Sequence, residues 1–390
     1  MAEKAFITSE ILKWARETAD ISIESAAKKV LVSPERILTW ESGDDYPTIR
    51  QAKILAKSYR RPFSLFFLPE IPRDFQPLQD FRRNDSKKLD TASLFIIRDV
   101  QEKQQWISEF FEDIGEDALS FVGKYSISDS PEVVAKNILE KLNINPGNYK
   151  KKSIDEWIDK AEKAGIFISR TSYIHSRLIL DKDVIQGFAI ADTYAPFVFI
   201  NSKNWKAPQL FTLVHELAHI WIAQSGISNE IDIDFRENPK SKLHPVEVFC
   251  NQVAANALMP AEIMNQLGSD VFQSNQQIFK QAKELGVSSF AFLVRALHLK
   301  FISQSTYTSL KEDAQNEFEK FLEKERIQKE KQKKRKDGPS LYLLRLQKNS
   351  KLFTRIVMDS FHNGSLPPST ASNLLNTQIN KFQKFEKLLA

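Results

Sequence analysis

The densest chemistry in the chain lies in Val214-His215-Glu216-Leu217-Ala218-His219-Ile220. On a helix, residues four apart share one face, so His215 and His219 can offer two imidazole nitrogens to a single ion. Glu216 stands beside that axis, where a carboxylate can take a proton from a water activated at the ion. Together these residues point to metal-assisted hydrolysis. A catalytic zinc takes three protein ligands and keeps a fourth position for water. Glu247, in Pro245-Val-Glu247-Val-Phe-Cys-Asn251-Gln-Val-Ala254-Ala255-Asn-Ala-Leu258-Met259-Pro260, supplies a third; Glu230, Asp232, Asp234 and His244 in the intervening loop are alternatives.

The elements that must position these residues are two helices and a small sheet. Pro208 suits a first helical turn and Gly226 a left-handed cap, with no Pro or Gly between them. Leu210, Phe211, Leu213, Val214, Leu217, Ile220, Trp221 and Ile222 surround the histidines on nearly all sides, which predicts a buried helix. Buried imidazoles need hydrogen-bond partners or a metal. The plain alternative is two satisfied core histidines and a solvated first-turn glutamate at 247. Pro245 opens the second helix, Glu247 and Asn251 share a face, and Ala254 with Ala255 allow close approach. Ile166–Ser169, Val184–Ala191 and Pro196–Ile200 read as strands of a short antiparallel sheet leading into the first helix. An edge strand of such a sheet can pair with an extended substrate backbone.

His-Glu-x-x-His is the arrangement of zinc-dependent peptidases. In metzincins a Gly and a further His follow at positions held here by Ile222 and Ser225, which excludes that class. His-Glu-Leu-Ala-His followed by Glu-x-x-Cys-Asn-x-x-Ala-Ala-x-x-Leu-Met-Pro resembles the ImmA/IrrE family of metallopeptidases, over residues 150–300. The chain departs from the usual family pattern at Cys250, where Ala is common, and at Val253, where Phe is. The resemblance implies a gluzincin-like fold, zinc held by His215, His219 and Glu247, Glu216 as general base, and cleavage of DNA-bound repressor proteins. Tyr173, His175 and His244 are candidates for stabilising the oxyanion.

Earlier in the chain, Ser22 precedes Ile23–Val30, Ser33-Pro34 opens a helix through Trp40 that Gly43 ends, and Thr48 caps another through Ser58. Residues 22–56 resemble the lambda-repressor type of helix-turn-helix, whose second motif helix enters the major groove of double-stranded DNA. Only Ser33, Arg36 and Thr39 offer base contacts, and residues 1–83 carry 14 basic against 12 acidic side chains. DNA binding and docking of a protein partner therefore both stay open. Phe63–Pro69 closes this bundle, a polar linker spans Pro72 to Asp85, and helical periodicity resumes in 89–125 and 131–142. Residues 282–299 repeat helix-turn-helix punctuation, with core packing as the simpler role. From Lys324 to Asp337 eight basic residues face three acidic ones, the pattern of a solvated connector or of a polyanion site.

The 390 residues, 42% of them hydrophobic, suffice for several cores, and one cysteine excludes an internal disulfide. No apolar run is long enough to span a membrane and the N-terminus lacks a signal-peptide pattern, so a cytoplasmic location is expected. The net charge of +5 neither demands nor excludes nucleic acid. The expected fold is mainly α with a small β-sheet: a helix-turn-helix domain (1–75), a helical scaffold (76–150), a gluzincin-like α+β zinc peptidase domain (151–310), a charged connector (311–339) and a helical C-terminal module (340–390). The expected function is a zinc metallo-endopeptidase acting on a repressor or regulatory protein in a transcriptional or toxin–antitoxin-like switch. The competing class is a DNA-binding regulator or antitoxin-like interaction protein whose metal site is not catalytic.

Overall fold

Ser22 and Thr48 accept the backbone N–H of Ser25 and Gln51 and so fix two helix starts, the second through a full capping box. The computed structural model describes residues 3–71, 78–81, 89–175, 178–228, 244–335 and 339–389, and contacts divide it into two units. The first unit comprises residues 1–77, 87–99 and 173–179. It contains α1 (Ser9–Glu17), α2 (Ile23–Val30), α3 (Pro34–Ser42), α4 (Ile49–Tyr59) and a 3-10 turn at Phe63–Phe67. Leu31, in the left-handed region at φ 57°, turns α2 into α3, and Gly43 ends α3 as expected. A buried ion pair ties the bundle: Arg16 Nε and Nη2 reach the two oxygens of Glu41 at 2.7 and 2.9 Å. The paired strands β3 (Tyr173–His175) and β4 (Leu178–Ile179) and the first turns of α5 (Thr91–Ile114) also group with this unit.

The second unit is built on a five-stranded sheet in the order β1-β7-β5-β6-β2. Its strands are β1 (Gln79–Asp80), β2 (Phe167–Thr171), β5 (Gly187–Ile190), β6 (Phe197–Asn201) and β7 (Gly226–Ser228). The expected antiparallel sheet is in fact mixed: β5 runs antiparallel to β6 and β7, while β2–β6 and β1–β7 are parallel. β1 lies within the stretch read as a linker. The helices are α6 (Pro131–Leu142), α7 (Ser153–Lys163), α8 (Lys206–Trp221), α9 (Pro245–Leu258), α10 (Ala261–Asn265), α11 (Asn275–Leu285), α12 (Ser289–His298), α13 (Gln304–Arg335), α14 (Leu341–Asn349), α15 (Lys351–His362), α16 (Pro368–Leu374) and α17 (Gln383–Leu389).

Strand alternation assigns the faces of the sheet. Ile168, Ala189, Val198 and Ile200 join the core that contains α8 and α9. Phe167 and Phe197 face the other way and meet Phe353 of α15, with ring centroids 6.5 and 6.4 Å apart. Both faces of β5 and β6 are buried, as is β2 apart from the half-buried Arg170. Among the described residues no helix is long and apolar enough to cross a membrane.

Candidate active site

α8 forms because Lys206–Trp221 contains no residue beyond its first turn that breaks a helix, and the sheet on one side with α6, α7 and α9 on the other bury it. Every residue from Gln209 to Trp221 is buried. The helix does not end at Gly226. Ala223 adopts the left-handed conformation at φ 51°, the Gln224 N–H bonds the His219 carbonyl at 2.9 Å, and Gly226 begins β7. Gly is required there for another reason: a Cβ would collide with the ring of Phe81. α9 opens on Pro245, capped by the His244 ring, which accepts from the Val246 N–H at 3.3 Å.

The two helices bring His215, His219 and Glu247 together; among the described residues they form the one cluster able to hold a metal ion. The His215 and His219 Nε2 atoms are 3.2 Å apart. Glu247 Oε2 lies 3.3 Å from His215 Nε2, and Oε1 lies 3.2 Å from His219 Nε2. A tetrahedral ion with bonds of about 2.0–2.1 Å has ligand-to-ligand edges of about 3.3–3.4 Å. The separation of the two imidazole nitrogens is close to such an edge, and the Glu247 carboxylate, one oxygen toward each ring, completes a donor set able to hold one small divalent cation.

Hydrogen bonds behind the rings orient both imidazoles. His215 Nδ1 meets Asn251 Oδ1 at 2.9 Å, and His219 Nδ1 meets the Gln224 carbonyl at 3.1 Å. With each Nδ1–H donating outward, both Nε2 atoms face Glu247. Burial opposes an ionised Glu247, yet the two imidazoles hold its carboxyl down to about 2. Burial would lower His215, but the Glu247 carboxylate raises it above its ordinary value; at His219 burial prevails and the pKa is lowered. Glu247 is thus held as a carboxylate, and a metal that binds here displaces the proton that its charge favours on His215. Cys250, one turn along α9, is fully buried, and burial pushes its thiol well up, so it offers no thiolate.

Glu216 is fully buried and packs against the first residue of β5. A Cβ at Gly187 would stand 2.8 Å from Glu216 Oε1 and 2.6 Å from Thr212 Cγ2, so only glycine leaves the carboxylate its place. Phe81 stacks on His219 with centroids 5.5 Å apart and planes 18° from parallel. His244 belongs to the helix cap, outside the donor cluster. Tyr173 and His175 lie on β3, in the first unit. Glu230, Asp232 and Asp234 lie outside the described residues.

Sequence reasoning placed Asn251 beside Glu247 without its role at His215, and it missed Gly187 and Phe81. Asn251 had a legible signal, since it stands one turn from Glu247 on the same face. Gly187 had a weaker one, a lone glycine at a strand start. Phe81 had none, because only the chain's long-range folding brings it to His219.

Residues 161–297 match the family model described as the IrrE N-terminal-like domain, a peptidase family, and residues 12–66 match a helix-turn-helix model. No curated protein matches the chain. His215, Glu216, His219 and Glu247 all fall inside the peptidase-family match, and α2 with α3 inside the other. The chain thus carries an N-terminal helix-turn-helix domain of the XRE type followed by an IrrE/ImmA-like peptidase domain.

Proposed function

We propose that the chain is a zinc-dependent endopeptidase that cuts a repressor or other regulatory protein within a transcriptional or toxin–antitoxin-like switch. The observation that carries this reading is the convergence of two imidazole nitrogens and one carboxylate able to hold a single ion, flanked by the buried Glu216, inside a peptidase-family match. Two nitrogens and one carboxylate oxygen suit zinc, with His215, His219 and Glu247 as its ligands. Bound zinc would supply the Lewis acidity that makes a water nucleophilic at neutral pH. Glu216 takes the proton of the attacking water at a carboxylate oxygen as the water oxygen bonds the peptide carbon. It then delivers that proton to the leaving amide nitrogen as the C–N bond breaks, and so returns to the carboxylate. Gly187, lacking a side chain, leaves that carboxylate its place against the sheet.

Glu216→Gln tests the proposal. The amide cannot accept the proton, so the variant should keep its zinc and its fold and lose cleavage of the partner. Cleavage at the wild-type rate would overturn the mechanism. Loss of zinc in His215→Ala with His219→Ala tests the ligand set separately.

For the N-terminal module, a particular observation favours a protein partner at the α3 face. The one cation of α3, Arg36, is paired with Asp45 at 2.5 Å, and Leu31 and Leu38 stand exposed at 91% and 50%. A module that binds the regulatory partner raises its effective concentration at the peptidase without tight subsites. Titration with DNA at several salt concentrations decides between the two: groove binding gives a steep salt dependence and one preferred duplex.

A further inference from the structure

β1 adds to the sheet beside β7 in parallel register, with Gln79 opposite Gly226 and Asp80 opposite Ile227. The Phe81 N–H donates to the Ile227 carbonyl at 3.2 Å. The side chains of Gln79 and Asp80 are exposed, whereas Phe81 is 3% exposed, stacked on His219 and tilted against His244 with centroids 5.1 Å apart. Gly226 forms the floor of this pocket, since any larger residue would expel the ring. A short extended segment thus lies along the sheet next to a ligand of the metal-binding triad. The ladder to β7 and the Phe81 ring, against His219 and His244, help to hold it there, and Asp80 makes a further interaction. So short a strand contributes little by itself, and burial of one Phe is worth about a ten- to hundredfold preference for the occupied state. A competing strand can overcome an anchor of that size.

We propose that residues 78–81 occupy in cis the edge position on β7 that an extended substrate segment takes in trans, with Phe81 filling the site for a large apolar substrate side chain. The inference rests on the peptidase reading for the word substrate; the strand site itself does not depend on catalysis. It specifies the substrate class as an extended protein segment carrying an aromatic or large aliphatic residue next to His219. Main-chain pairing to β7 supplies the rest of the recognition, as in strand addition generally. The same contact makes the segment a built-in competitor, so cleavage requires its displacement.

The test uses the full chain with Glu216→Gln, so that bound peptide is not cut, and the fluorescein-labelled peptide Leu-Gln-Asp-Phe-Arg. Adding Phe81→Ala should tighten binding of this peptide at least about tenfold, read by fluorescence polarisation, and the same peptide with Ala in place of Phe should lose the gain. Equal binding with and without Phe81 overturns the proposal. So does loss of folding in Phe81→Ala by circular dichroism, because a displaceable segment cannot be required for the fold. A second variant, Gly226→Ala, keeps Phe81 but closes its pocket: chymotrypsin should then cut after Phe81 at least about tenfold faster than in the wild-type chain, and an unchanged rate overturns the proposal independently. If the peptide binds as expected but the chain with Glu216 intact cuts no partner, the strand site stands and the peptidase reading fails. If partner cleavage occurs without the gain in peptide binding, the reverse holds.

Discussion

Asn251 offers the sharpest perturbation of the site, because it touches neither the proposed ion nor a substrate. Its Oδ1 accepts the His215 Nδ1–H at 2.9 Å, and both side chains are buried. In Asn251→Ala the Nδ1–H loses its acceptor where water cannot replace it, which costs about 1–3 kcal/mol. The cost falls on the ligating orientation of the ring, since a ring free to rotate no longer aims Nε2 at Glu247. Partners of this kind typically account for about 10–100-fold in metal affinity, which corresponds to about 1.4–2.7 kcal/mol. The two routes agree. Zinc affinity measured by competition with a chromophoric chelator should therefore fall by that factor in Asn251→Ala. Asn251→Asp, which keeps an oxygen at the same place, should recover most of it. His219 provides the internal contrast, because its Nδ1 bonds the Gln224 backbone carbonyl and no side-chain substitution removes that acceptor. Zinc affinity within twofold of wild type in Asn251→Ala would refute the argument that this bond orients the ligand.

Gly187→Ala places a Cβ 2.8 Å from Glu216 Oε1 and 3.0 Å from the Phe199 carbonyl, so partner cleavage should drop sharply while zinc content holds; overpacking of this kind costs about 1–3 kcal/mol in stability, measurable by denaturant titration. Glu41→Ala removes the two-point partner of Arg16, which keeps Glu17 at 3.5 Å and the Ile21 carbonyl, and should destabilise the first unit by about 1–3 kcal/mol, read as faster amide hydrogen exchange in α1–α4. Burial raises the Glu162 carboxyl above its ordinary value against the hydrogen bonds from Ser350, Leu352 and Lys351. The folded state therefore holds the Glu162 proton more tightly than the unfolded chain, and the wild type should gain stability relative to Glu162→Gln as pH falls from its raised value toward the ordinary one. Chemical denaturation of both proteins from pH 7 to pH 4.5 checks the sign.

The legible parts of the site are those written within one helix. His215 and His219, then Glu247 and Asn251, stand one turn apart in segments whose apolar surroundings and starting prolines mark them as buried helices. What no local pattern reveals is the pairing of distant segments. β2 runs parallel to β6 because residues between them cross over, so three apolar runs close in sequence gave the strands but not their directions. β1 is two residues long and polar, below any periodicity threshold. Gly226 shows a different limit. A glycine shortly after an apolar helix has two physical uses, a left-handed cap or a close approach, and only the position of Phe81 tells which applies.

Burial of the sheet on both faces accounts for the helices after residue 340. Pro196-Phe-Val-Phe-Ile200 lacks polar alternation, and a strand of that composition has to be covered on both faces. α8 covers one. On the other, Phe353 meets Phe167, Phe197 and Trp106, and Phe111 meets Phe167. α15 is fixed in place by its N-terminus: Glu162 Oε1, at the end of α7, accepts from Ser350 Oγ at 2.6 Å and from the Lys351 N–H at 2.9 Å. An acidic group at that end of the helix also meets the positive end of its dipole. Ser169 of β2 donates to the Lys348 carbonyl at 2.6 Å, which ties the end of α14 to the same strand. The C-terminal helices therefore complete the core beneath the sheet that holds Gly187 against Glu216. They reach the sheet through β2 and β6, and among the described residues none of them belongs to the candidate metal cluster.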